Sequence, residues 1–429
     1  MPMALGLSVQ CSLAAGDDYK ARYFYQRLIE DFAGSGEGFR AAVAVARYYY
    51  ARRAWDSSLE YYRGALDAWR SGASGPRADL DAALLRAAEL SLYQADDPSS
   101  ARAYVARIYA SNLAGVDAAL YRRMRQRLLW SVLSAAALGL KDENVSSLRV
   151  DGDDLWVGTW NGGVSRYSVS AGRADAFPGP AFSRSIEIAD RRVWVGTAEG
   201  LVWYGKGTGR WSAEDISGGT TPAKVQVVRN AAGSLYAGTL GDGLFRRGDT
   251  GWQSVTDGDL PGRFITALSE DAARGRLLIG TMTLGLVILD LKTGTMTALS
   301  ELVPGFTAEN VTSILPATDG TVWIGTYGDG LAAWVPATGS LKRFTKASGE
   351  VGDDWVLSSC ETARGIYFGT FGGGVSFLPR GGTWRRIGIA DGLASLDVTA
   401  IEWRAPWLFF GTLGAGVSMY DEASDAGQP

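Results

Sequence analysis

The 429-residue chain contains no histidine. It therefore lacks the commonest general base and metal ligand, and the partner of any Ser-His or Cys-His nucleophile. Carboxylates, two cysteines and aromatic rings are left to do chemistry. Cys11 and Cys360 lie in different regions and form no zinc spacing or disulfide framework. Asp353 and Asp354 are adjacent, and adjacent side chains in a loop need not converge on one reacting atom. Asp242 and Asp329 sit in Gly-Asp-Gly turns, where Asp serves a hairpin; a metal contact would be a second use. From this set we read no metal, no cofactor and no catalytic residue. A carboxylate-based hydrolase is the enzyme class this leaves open.

Binding chemistry is better represented. Seven Gly-Thr pairs recur along the chain, and the residues that follow them are Trp160, Ala198, Leu240, Met282, Tyr327, Phe371 and Leu413. Aromatic rings at such turns, Trp160, Tyr327 and Phe371 above all, could hold a peptide or stack on sugar rings. Each could equally pack against its structural neighbour. A second set precedes short β-type runs: Asn144, Ser185, Lys224, Phe264, Asn310, Trp355 and Asp397. Mixed polar and aromatic groups converging on a concavity make a ligand site. Asn and Asp at such places can also simply start strands. The binding candidates are thus Trp160, Tyr327, Phe371, Asn144, Lys224, Asn310, Trp355 and Asp397.

The elements that must position these residues follow from glycine. Of 56 glycines, ten fall in residues 1–140 and the rest beyond. The Gly-Thr pairs begin at residues 158, 196, 238, 280, 325, 369 and 411, and glycines at 163, 200, 243, 285, 330, 374 and 416 close the turns after them. Each copy reads as four antiparallel strands. The second is nearly all apolar, as in Val322-Trp323-Ile324, and is expected to be buried on both faces. A period of about 40–50 residues with four strands per copy means propeller blades, here seven in a ring. The last copy lacks an outer strand. Residues near 129–134 either supply it or finish a helix that starts near 117.

The phrase DGTVWIGTYGDGL at 319–331 resembles the two-component-regulator propeller repeat. That resemblance covers about 280 residues and implies a bacterial sensory domain of the cell envelope or periplasm. No kinase follows, and without histidine there is no phosphoacceptor. The first 140 residues are Ala-rich with helical spacing. Val45, Ala46 and Tyr49, then Trp55, Ser58, Tyr62, Ala65 and Leu66, resemble the two helices of a tetratricopeptide (TPR) repeat. About three such units imply an α-solenoid with a groove for a protein partner. Tyr49 is expected in its core, and Tyr48 or Tyr50 in the groove.

The fold class is therefore multidomain α plus β: a TPR-like α-solenoid over 1–137, a seven-bladed β-propeller over 138–421 and a polar tail over 422–429. A net charge of −4 with no basic cluster argues against a nucleic-acid partner. No apolar run is long enough to span a membrane, and the N-terminus has no positive n-region of a signal peptide. The reading is a non-enzymatic binding or scaffold protein, with a protein partner at the helical repeats and a peptide, glycan or second protein at the propeller mouth. The alternative is a stand-alone sensor of a small molecule or glycan.

Overall fold

The computed structural model describes residues 1–32, 35–70, 76–108, 117–177, 179–219, 221–255, 263–307 and 309–423. From residue 424 on, the expected polar tail lies outside them. The chain divides into two compact units, Met1–Trp130 with Asp421–Pro429, and Ser131–Tyr420. No helix is long and apolar enough to cross a membrane among the described residues.

The first unit is helical: α1 (Pro2–Ala14), α2 (Asp18–Asp31), α3 (Gly36–Ala51), α4 (Trp55–Arg70), α5 (Arg77–Tyr93), α6 (Pro98–Val105) and α7 (Ala118–Leu129). Side-chain caps start four of them. Asp17, Ser35, Asp97 and Asp117 accept from the backbone N–H three residues on, at 2.9–3.2 Å. Helices neighbouring in sequence pack on one another. Small residues make this close approach possible: Ala42, Ala46 and Ala65 are buried, and Ser58 Oγ donates to the Ala46 carbonyl at 2.9 Å. Phe39, Tyr62, Leu66 and Leu84 fill the space between. Tyr49 is only half-buried, packed on this core, and donates to Asp18 at 3.0 Å.

The second unit consists of seven four-stranded antiparallel sheets. Their first strands are Val145–Asp151, Ser183–Ala189, Val225–Ala231, Ile265–Asp271, Val311–Pro316, Val356–Glu361 and Val398–Arg404, which define blades 1 to 7 in order. Each first strand touches the next, and the seventh touches the first, so the ring is closed. The outer strand of blade 7 is Trp130–Leu133, which lies beside Val417–Asp421. Both expectations for this segment hold in part. The helix ends at Leu129 and the chain passes directly into the closing strand.

The repeated phrase has a physical meaning at each position. A side chain on the Gly of Gly-Thr would collide with the next blade. At Gly325 it would stand 2.6 Å from the Val356 carbonyl oxygen, and at Gly411 it would stand 2.6 Å from Val145 of blade 1. The Thr hydroxyl donates across the turn to the carbonyl of the closing glycine at 2.7–3.1 Å in all seven blades. That closing glycine has positive φ every time, from 67° to 132°. The second strands are buried on both faces, as expected, and carry Trp156, Trp194, Phe368 and Phe409 at full burial.

Candidate ligand-binding face

Antiparallel strands put the start of each first strand and the end of each second strand at the same end of the blade. The two sequence-derived sets therefore meet there. Trp160 N–H donates to the Asn144 carbonyl at 3.0 Å, Leu240 to Lys224 at 2.9 Å and Met282 to Phe264 at 3.0 Å. Tyr327 donates to Asn310 at 3.0 Å, Phe371 to Trp355 at 2.9 Å and Leu413 to Asp397 at 3.0 Å. The sets form one circuit of alternating positions on one face.

Blade contacts then bring side chains together. A bridge links Tyr327 of blade 5 to Trp355 of blade 6. Their rings stack with centroids 4.0 Å apart and planes at 23°, and Phe371 adds a third ring 5.1 Å from Trp355. Stacking satisfies one face of each pair only. Tyr327 remains 47% exposed and Phe371 37%. Leu240 and Phe264 are bridged in the same way between blades 3 and 4. Trp160, half exposed, stands under Arg184, whose guanidinium carbon lies 5.7 Å from the ring centroid.

The polar candidates divide by role. Asn310 takes φ 51°, a left-handed conformation that Asn tolerates, so the residue is needed by the backbone. Asn144 donates its side-chain amide to Asp142 at 2.6 Å, and Asp142 also receives Asn161 N–H at 2.8 Å. Lys224 is exposed, and Asp397 is half-buried at the rim. The backbone N–H groups of Asp242 and Asp329 donate to Oγ1 of Thr239 and Thr326, each at 3.0 Å. Asp353 and Asp354 accept from different groups of one residue, Lys346: Nζ at 2.8 Å for the first and the backbone N–H at 2.7 Å for the second. Among the described residues no three side chains of metal-ligating type cluster.

Ser185 needs correction. Ser183, not an apolar residue, opens the first strand of blade 2 and pairs with Thr197, so Ser185 lies inside the strand. The rim position belongs to Phe182, which is 41% exposed. The alternation of apolar residues shifts here because a small serine replaces the usual Val, and Ser147 Oγ lies 3.2 Å from its hydroxyl.

A deeper belt was not read from the sequence. Four residues after the strand start, neighbouring blades place Glu402, Arg149, Glu187 and Arg229 in alternation of charge. Arg149 holds Glu187 at 2.6 Å and Glu402 at 3.3 Å, and Arg229 reaches Glu187 at 3.4 Å. Burial opposes charge on Arg149, but the two carboxylates outweigh it and keep its guanidinium above the usual range. Burial and the neighbouring Arg149 lower Arg229, and burial pushes the Glu402 carboxyl up. Equal spacing from the Gly-Thr pairs was the available signal.

In the helical unit, Tyr50 lines a cavity of about 300 Å³ with Arg47, Tyr62, Arg86 and Asp117. Its hydroxyl donates to Glu89 at 2.9 Å, and Arg86 reaches the same carboxylate at 2.7 Å.

These features define a seven-bladed propeller with both circuits of rim residues on one loop side. A family model described as two component regulator propeller matches residues 305–328. No curated protein matches the chain. Among solved structures, it is similar to the extracellular domain ascribed to the hybrid two component system BT3049 from B. thetaiotaomicron. Identity is 19%, coverage is 68% of this chain and 42% of that one, and the TM-score is 0.56. It is similar likewise to the extracellular domain ascribed to the one component system BT4673 of the same organism, at 19% identity, 68% and 40% coverage and TM-score 0.54. The matched part is less than half the length of either, and at this identity the likeness concerns the fold.

Proposed function

We propose that the chain is a non-enzymatic binding protein whose propeller loop face takes a peptide, glycan or second protein. The Tyr327–Trp355–Phe371 ladder carries this reading. Large aromatic rings left half exposed cost roughly 25 cal/mol for each Å² of apolar surface kept in water, and a ligand removes that cost. On this reading the helices are a TPR-like α-solenoid that docks a protein partner in the groove beside Tyr50. A second reading, a ligand-sensing propeller of the bacterial envelope or periplasm, is favoured by the regulator-propeller match at 305–328.

Thermal shifts of the full chain against panels of peptides and oligosaccharides test both readings. A ligand at about 100 times its Kd adds about 2.7 kcal/mol of stability. Trp355→Ala is expected to abolish that shift while leaving the unliganded propeller folded. An unchanged ligand shift in the variant would reject the ladder as the site.

A further inference from the structure

Exposed apolar side chains are strongly segregated in the second unit. Among its described residues, every exposed large hydrophobic side chain except Val132 lies on the loop face, led by Trp160, Phe182, Phe264, Met282, Tyr327 and Phe371. The charges are segregated as well. The described loops and turns of this face carry thirteen carboxylate and four cationic side chains, whereas those of the opposite face carry four carboxylates and six cations. The chain as a whole is only −4, so the balance of the two faces differs in sign as well as in size.

A cavity of about 380 Å³ opens on the same face between the outer strands of blade 2 and the segment that leads from it to blade 3. Leu201, Ile216 and Ala223 give it an apolar lining and Glu199 and Asp215 an acidic one, with Glu214 already held by Trp203, Trp252 and Arg247, and among the described residues no cationic side chain lines it. An aliphatic stem ending in a cation matches both, because lysine and arginine bury their methylenes and keep the charge at a polar rim. Arg184 over Trp160 is an internal example of a cation accepted by this face.

Resting on the binding reading above, we infer that the occupant of the loop face is a lysine- or arginine-bearing polypeptide segment. Its apolar residues lie on the aromatic ladder, and a basic side chain enters the cavity beside blade 2. The apolar area calls for a peptide rather than a bare amine, and the carboxylates select its charge by complementarity. The same field speeds encounter and weakens as salt rises.

The test is titration of the full chain, followed by tryptophan fluorescence. The probes are a capped peptide alternating lysine with leucine, its glutamate–leucine twin, spermidine and a neutral oligosaccharide. The lysine peptide is expected to bind about tenfold or more tighter than its twin, and to weaken between low and physiological salt. Glu199→Gln with Asp215→Asn, both on the surface, should weaken it about fivefold or more with the thermal midpoint unchanged. Equal binding of the two peptides, or preference for the oligosaccharide, overturns the charge assignment and leaves the binding face standing. Spermidine binding as tightly as the peptide overturns the polypeptide assignment. No saturable binding by any probe overturns the inference, and a ligand shift in the wider panel that persists unchanged in Trp355→Ala separately overturns the face.

Discussion

Arg149, in the first strand of blade 1, donates through Nη1 to Oε1 of Glu402, in the first strand of blade 7, at 3.3 Å. The two residues are 253 positions apart, and their contact lies where the ring closes. The same guanidinium holds Glu187 of blade 2 with two bonds of 2.6 and 2.7 Å, so one side chain ties three consecutive blades together.

Removing that guanidinium leaves Glu187 buried with the longer contact to Arg229 as its remaining ion pair, beside a bond accepted from the Ile188 N–H at 3.0 Å. Stripping one partner from such a buried pair costs about 3–5 kcal/mol. Arg149→Met is therefore expected to lower the urea midpoint of the propeller by an amount equivalent to about 3 kcal/mol. A loss below about 0.5 kcal/mol, the range of an ordinary surface substitution, would show that the belt does not hold the seam.

Glycine at the Gly-Thr pairs is required by its neighbour in the next blade, not by its own dihedral angles. Gly325→Ala brings a methyl within 2.6 Å of the Val356 carbonyl oxygen and against Ser313 Oγ. Overpacking of this kind costs about 1–3 kcal/mol. Gly207→Ala is the control, since nothing lies within 4 Å of the added carbon and its φ is not left-handed. Calorimetry should show a lower midpoint for the first variant and an unchanged one for the second. Equal midpoints would refute the packing argument.

Alkaline pH should loosen the helical unit through Tyr25. Burial pushes its phenol up to about 12, with Tyr61 and Glu60 adding to the effect. The unfolded phenol ionises near 10, so above that pH the folded state binds more protons than the unfolded one. Stability from this group is complete below pH 10 and is lost as pH rises towards 12. Two pH units correspond to about 2–3 kcal/mol. Helical circular dichroism in urea, followed from pH 9 to 12, should fall less steeply for Tyr25→Phe than for the natural chain. Parallel curves would assign the alkaline loss elsewhere.

Much of the propeller is legible in the sequence because its grammar is local. Gly-Thr, the turn and the closing Gly lie within a few residues of one another, and their bonds repeat in every blade. Asn310 and Asn144 could be found for the same reason, being placed relative to a strand start. Phe182 could not, because Ser183 replaces the apolar residue that marks that start. Tyr49 was expected in the core of the helical unit, yet its hydroxyl keeps it at the edge beside Asp18.

The sequence by itself determined the number of blades, the buried second strands and the two circuits of rim residues except at blade 2, where Phe182 takes the place expected of Ser185. Those follow from periodicity and from the few backbone shapes that glycine permits. The tertiary structure alone decided which rim residues touch. Tyr327 stacks on Trp355 because ring closure sets one blade beside the next, a relation that no spacing within a blade encodes. The belt from Glu402 to Arg229 has the same origin: its charges belong to four different repeats and become partners only when the ring brings their first strands together.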